Sequence, residues 1–272
     1  HLSKLDFPTD FDSVDHAARR FRYVYDAYLR NSGTKTYLSV IPDKNVFIAS
    51  PNGYPDKDYK ALVERLGKGF PEAEYIDISG LLSSDDFYYT DSHWRQEGIL
   101  KVADEIADKM GAERIGQCEK HDTGVSFYGV YYGQAALPHA PERFFYLDNA
   151  VIRGLKVYNV EISSDIPVYD LGAAAGRDPY EMFLGGARSI IRITNPNAAQ
   201  ERRLIIFRDS FGSSIAPLLA AGYSEITLVD IRYISPLSLG KLIDFTKADD
   251  ALFLYSASVI NNSETIKGTS KN

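Results

Sequence analysis

Cysteine is nearly absent from this chain of 272 residues, where Cys118 stands alone. An internal disulfide framework is therefore excluded, and so is a zinc cluster built on cysteines. Long hydrophobic runs are missing as well: no apolar stretch approaches the ~20 residues that span a bilayer, and no secretory leader pattern is visible. An excess of positive charge is also missing, since 30 Lys and Arg stand against 37 Asp and Glu for a formal net charge of −7. The one basic pair, Arg202-Arg203, is short and precedes a strand pattern, so no basic face for nucleic acid is present. The chain begins at His1 rather than Met. We read that start as a processed or trimmed one, which leaves room for a targeting or anchoring segment ahead of it.

What is there suits a globular protein. The chain is 44% hydrophobic and 25% charged, enough for one good core or two. Aromatic residues are plentiful, with 19 Tyr and 14 Phe beside a single Trp. Val14, Ala17, Phe21, Val24, Tyr25 and Tyr28 recur at helical spacing behind the capping pair Asp12-Ser13. Tyr37–Ile41 reads as a strand, Leu62, Val63 and Leu66 as a helix closed by Gly67, and Tyr75–Ile78 as a second strand. A polar and aromatic loop, Ser84 to Thr90, then delivers Asp91-Ser92-His93-Trp94 to the mouth of a helix. That helix should begin near Arg95 or Gln96, show Ile99, Val102, Ile106 and Met110 on its apolar face, and end at Gly111.

From about Gln117 to Asn197 the pattern changes. Val125–Tyr132, Arg143–Leu147, Leu155–Val160 and Ser189–Ile193 are rich in strand formers and separated by turn residues. The expectation is an antiparallel β-rich insertion over 117–197 placed on an α/β domain made of 1–116 and 198–272. The α/β alternation resumes with strands at Leu204–Phe207, Glu225–Asp230 and Ala251–Tyr255, with helices over Phe211–Ala221 and after Ser235-Pro236. The polar tail from Asn261 is expected to fray.

Leu204-Ile205-Ile206-Phe207 is apolar without a break, as suits a strand buried on both faces of a parallel sheet. Ligands in such sheets bind beyond the carboxyl ends of the strands, and Ser210 would sit there at the start of a helix. A serine so placed suits a nucleophile with its oxyanion stabilised, or an ordinary N-cap. As nucleophile it needs an imidazole and a third group to hold it. Of the five histidines only His93 occupies a strand-to-helix junction of the core, and Asp91 lies two residues before it. In an extended segment such residues point the same way, which lets Asp91 reach the Nδ1 side of the ring. Asp209 reads as a turn-shaping residue.

Thr90-Asp91-Ser92-His93-Trp94 resembles the D-x-H-W signature of the DHHW proteins and of the alginate O-acetylation proteins related to them, within the SGNH hydrolase and acyltransferase superfamily. The match extends to Val40–Lys44, Arg208–Gly212 and Leu228–Tyr233, about two-thirds of the chain. The resemblance implies a three-layer SGNH-like parallel sheet. Because Asp91 and His93 precede Ser210, where ordinary members run serine first, it also implies circular permutation. It implies a catalytic triad of Ser210, His93 and Asp91, no cofactor, and an extracytoplasmic polysaccharide or acetylated glycan as substrate, with a membrane-bound acetyl donor as a candidate partner. Where the superfamily carries an oxyanion-hole Gly and Asn, this chain has Asp230-Ile231-Arg232-Tyr233 and Tyr255-Ser256-Ala257-Ser258. Arg232 is therefore a candidate to supply positive charge there. Trp94 is a second binding candidate, with packing as its competing use. Two alternatives stand beside acyl transfer: a non-catalytic glycan-binding or assembly protein with a degenerate triad, and metal-dependent hydrolysis through Asp91, His93 and Asp209.

Overall fold

A computed structural model describes residues 1–4, 6–135 and 139–268. Among the described residues ten strands form: β1 Lys35–Ile41, β2 Glu74–Tyr75, β3 Glu119–Phe127, β4 Glu142–Asp148, β5 Lys156–Asn159, β6 Ser164–Ile166, β7 Ile190–Thr194, β8 Arg203–Arg208, β9 Glu225–Val229 and β10 Asp250–Ser256. Eight of them make one sheet in the order β2-β1-β10-β8-β9-β7-β5-β6. The first five in that order are mutually parallel, and β7, β5 and β6 continue antiparallel. The sheet is thus mixed rather than purely parallel.

Alternation along the central strands builds two cores. Leu204 and Ile206 of β8, with Leu252 and Leu254 of β10, face helix α3 Leu100–Met110. Ile205 and Phe207, with Phe253 and Tyr255, face α1 Phe11–Val24 and α2 Tyr59–Gly69. Helices on both sheet faces give the three layers expected. The four apolar residues Leu204 to Phe207 are 3% exposed or less, and burying such a side chain stabilises by about 1.5–3 kcal/mol. That pins the strand that carries Ser210.

The strands of 117–197 do not keep to one sheet. β5, β6 and β7 extend the main sheet because Ile191 and Ile193 bury their side chains in its core and β7 pairs with β9. Only β3 and β4 make a separate two-stranded sheet. The strand expected over Val125–Tyr132 stops at Phe127, and a helical turn covers Val130–Ala135. The N–H groups of Gly129, Val130 and Tyr131 go to Thr90 Oγ1, Asp91 Oδ2 and Thr90 O instead of a strand ladder. A third, smaller cluster collects Tyr88, Phe127, Phe144, Tyr180, Met182 and Phe183.

Two ends also differ from expectation. α3 starts at Leu100 because a tighter turn, Gln96–Gly98, precedes it. The tail does not fray at Asn261: Ile266 is buried, and Ser263 exchanges hydrogen bonds with Ser13 of α1. That pairing was invisible in a polar run.

Candidate active site

All five parallel strands point their carboxyl ends to one edge. A cleft of about 460 Å³ opens there, lined by Asp43 and Lys44 after β1, Ser210 and Phe211 after β8, Arg232 after β9, and Ser256 and Ser258 at and after the end of β10. His93 and Ser92 close its side.

The serine side is held by short-range bonds. Asp209 Oδ1 accepts from the Phe211 N–H at 3.1 Å, and its Oδ2 accepts from the Ser256 N–H at 2.8 Å. The turn after β8 is thereby tied to the end of β10, the turn-shaping role expected of Asp209. Gly212 follows closely over Arg208: a Cβ there would stand 2.6 Å from the Arg208 Cβ, so only glycine fits. Among the described residues no acceptor takes the Ser210 N–H, leaving it available for a ligand oxygen.

The histidine side meets it. His93 Nε2 lies 2.7 Å from Ser210 Oγ, and His93 Nδ1 lies 2.6 Å from Asp91 Oδ1. An ionised carboxylate only accepts, so Nδ1 carries the proton and Nε2 accepts from the serine hydroxyl. The same Asp91 oxygen takes the His93 backbone N–H at 3.0 Å. The reach across two residues is thus an Asx turn, not the extended segment expected. Burial alone would raise the Asp91 carboxyl. The charge of His93 and the hydrogen bonds from His93 and from the Val130 N–H outweigh it and hold Asp91 well below the usual carboxylate range.

Residues that sequence reasoning did not single out fasten this loop. Glu142 of β4 accepts from the N–H groups of Tyr89 and Thr90, from Thr90 Oγ1 and from Arg95. Lys44 donates to the carbonyl oxygens of Tyr88, Tyr89 and Asp91. Burial lowers Lys44 to about 8, against the opposing pull of Asp91 and Glu142. Tyr180 stacks on the His93 ring at 3.8 Å and 14°. A Pro-Tyr-Glu string carries no mark of such a role, so only the fold reveals it.

Trp94 is fully buried and does not line the cleft, which corrects its candidacy as a binding residue in favour of the packing use. Its indole N–H donates to Ser214 Oγ at 2.8 Å, and Tyr180 O–H lies 2.7 Å from the same atom. Ser214 spends its own proton on Phe211 O, so the tyrosine donates as well. Trp94, Ser214 and Tyr180 are a wall that fixes the imidazole from behind. Arg232 does line the cleft. Its Nε and Nη2 are clasped by the two carboxylate oxygens of Asp230 at 2.9 and 2.7 Å. Burial works against the charge, but Asp230 outweighs it and raises the guanidinium further.

The metal alternative loses its ligands. Both His93 nitrogens are engaged by Asp91 and Ser210, and both Asp209 oxygens by backbone N–H groups. Among the described residues no group of three His, Cys, Asp or Glu is set to hold a metal.

No protein-family model and no curated protein matches this chain. Solved structures do. It is similar to a DHHW family protein from Eubacterium siraeum DSM 15702, at TM-score 0.73 and 17% identity over 93% of this chain and 88% of that one. It is similar to Bacillus cereus PatB1 with a sulfonyl adduct, at TM-score 0.75 and 17% identity over 95% and 93%. The O-acetyltransferase domain of Pseudomonas putida AlgJ matches at TM-score 0.54 and 12% identity over 92% and 84%. At these identities the likeness concerns the fold, and the chain has the SGNH-like α/β fold that its sequence resemblance implied.

Proposed function

We propose that the chain is a serine acyl-transfer enzyme acting on acetyl esters of an exported or cell-surface polysaccharide. The observation that carries this is the unbroken relay from Ser210 Oγ through His93 to Asp91 at the rim of a cleft. Ser210 Oγ attacks the acetyl carbonyl carbon while His93 Nε2 takes the hydroxyl proton. Asp91 stabilises the imidazolium that forms. The tetrahedral oxyanion is met by the Ser210 N–H and by Arg232, whose Nη1 has no protein acceptor among the described residues. Collapse breaks the ester bond, the leaving alkoxide takes the proton from His93, and acetyl-Ser210 remains. A water or a glycan hydroxyl then attacks that ester, giving up its proton to His93, and Ser210 is regenerated. No cofactor enters any step.

The AlgJ domain is an O-acetyltransferase by its description, and PatB1 is described with a sulfonyl adduct. Both support the reading, in which an acetylated glycan is the substrate. An extracytoplasmic site of action and a membrane-bound acetyl-donor partner follow from the same reading. Among the described residues no helix is long and apolar enough to cross a membrane. Counted from β8, the parallel strands lie in the order β9-β8-β10-β1-β2. That is second, first, third, fourth, fifth, the order of one common doubly wound sheet, which supports circular permutation. The domain reading becomes a single α/β unit over 1–116 and 198–272 whose sheet is extended by strands from 117–197.

The second reading, a non-catalytic glycan-binding protein, is favoured by Arg232 and Ser256–Ser258 standing where the superfamily has Gly and Asn. A fluorophosphonate probe separates the two. An activated serine is labelled in the wild type and not in Ser210→Ala, and 4-nitrophenyl acetate turnover falls by about 10⁴ or more in that variant. Equal labelling and equal turnover in both proteins would falsify the enzyme reading.

A further inference from the structure

The turn that follows β3 has a feature the triad does not need. Between the buried Phe127 and the described end of the Val130–Ala135 helical turn stand Tyr128, Val130, Tyr131 and Tyr132. Tyr128 is 40% exposed and Val130 49% exposed. The rings of Tyr128 and Tyr132 sit 4.6 Å apart, as an i, i+4 pair on one side of the turn. Tyr131 between them lines the catalytic cleft. Tyr89, 38% exposed, belongs to the loop on the other side of the same fasteners.

This turn is rigidly joined to the catalytic loop. Gly129 presses so closely on it that a Cβ would stand 2.4 Å from both the Asp91 Cβ and the Thr90 carbonyl oxygen. Three consecutive N–H groups, from Gly129 to Tyr131, bond to Thr90 and Asp91. A displacement of the tyrosines therefore moves the triad carboxylate as well. Exposed aromatic rings held this firmly lose little conformational freedom when a ligand covers them, the condition that makes tyrosine an effective contact residue.

We propose that Tyr131, Tyr132 and Tyr128 form a stacking shelf that carries a polymer of neutral pyranose rings out of the cleft, so that the sugar bearing the acetyl group reaches Ser210 while its neighbours lie on the tyrosines. The proposal rests on the acyl-transfer reading and deepens it. Two observations choose the occupant. The cleft that Tyr131 lines carries hydroxyl and carboxamide groups on Asn45, Ser92, Ser256, Ser258 and Asn262, which match sugar hydroxyls, and its acids Asp6, Asp43, Asp209 and Glu264 outnumber its bases Lys4, Lys44 and Arg232. The cation nearest Tyr131, Lys44 at 5.2 Å from its ring, donates to three loop carbonyl oxygens. Arg95 beside Tyr89 is paired with Glu142. Both cations are already held by protein acceptors, and a cleft without an excess of positive charge does not select an anionic polymer, whereas the apolar face of an uncharged sugar ring fits a tyrosine face.

The test is the double variant Tyr128→Ala/Tyr132→Ala with two substrates, 4-nitrophenyl acetate, which needs only the cleft, and O-acetylated xylan, which extends along the shelf. The expected result is a drop of about tenfold or more in the ratio of kcat/KM for xylan to kcat/KM for the small ester, carried by KM. A ratio within about twofold of wild type overturns the shelf. A wild type that turns over neither substrate defeats the acyl-transfer reading instead. The shelf is then judged by mobility in gels containing xylan, with Ser210→Ala as parent: retardation must be present in the parent and lost with the tyrosines. No retardation, equal retardation, or stronger retardation by polygalacturonate than by xylan overturns the shelf.

Discussion

The two halves of the candidate site are built in opposite ways. Ser210 hangs from β8, a central strand with parallel neighbours on both sides and apolar side chains sealed in two cores. Its turn is closed by Asp209, one residue away, and tied once to β10. His93 sits in a loop with almost no regular structure between Ser84 and Gln96. Its position depends on polar fasteners from far along the chain: Lys44, Gly129 to Tyr131, and Glu142. A serine at a strand end can be placed by hydrophobic burial because the strand end is a fixed point. An imidazole on a loop must be placed by hydrogen bonds, since a loop cannot bury its backbone unpaired.

The sharpest way to break this contrast is inside the triad. Asp91→Asn should cut acetyl-ester turnover by about 10⁴, because the imidazole loses its orienting carboxylate. The same variant tests the electrostatics. The Asp91 carboxyl is held below its ordinary value of 3.8, so the unfolded chain binds that proton more tightly than the folded one. Its contribution to stability is fully present above the ordinary value and lost as pH falls toward the folded value. In urea unfolding the gap between wild type and Asp91→Asn should therefore be wider at about pH 7 than at about pH 3. A gap independent of pH would remove the ion pair from the account.

Next comes the fastener. Glu142→Ala leaves two loop N–H groups, the Thr90 hydroxyl and Arg95 without their acceptor. Breaking such a buried pair costs about 3–5 kcal/mol, to be read as a lower midpoint in urea together with reduced kcat. The difference between the two halves predicts faster hydrogen exchange in residues 86–95 of this variant and little change in 204–211. Uniform acceleration across both would show that the halves are not independent.

The smallest effect is expected from Tyr180→Phe. The stacked ring over His93 is kept, and only the hydrogen bond to Ser214 is removed. The cost should be about 1 kcal/mol of stability with kcat within a few-fold of wild type. Tyr180→Leu, which removes the ring, should lower kcat more than it lowers stability. The reverse order would make Tyr180 part of the wall alone.

Legibility followed the same division. The β8 strand, its turn and Ser210 could be read directly because burial on both faces leaves an unbroken apolar run. Asp91 and His93 were found through a short motif at a strand-to-helix junction, and the Asx turn that joins them needed no distant partner. Trp94 stayed between binding and packing because nothing local to it records that Ser214 takes its N–H. Of the antiparallel strands of 117–197, β4, β5 and β7 were recognised, β3 only at its end and β6 not at all, and their destination was not read. Whether a strand joins the main sheet or makes a separate one depends on which edge is open, and β9 offered an edge to β7.

The amino-acid sequence by itself determined the α/β class, the strand that presents Ser210, and the identity of the imidazole and carboxylate beside it. These rest on periodicity and on interactions within a few residues. Only the tertiary structure decided that the two loops meet at 2.7 Å, that Glu142 and Lys44 hold one of them, and that Tyr180 stacks on the ring. Such contacts join residues 44 to 117 positions apart. Their partners are chosen by how packed layers bring strand ends together, a property no local pattern encodes.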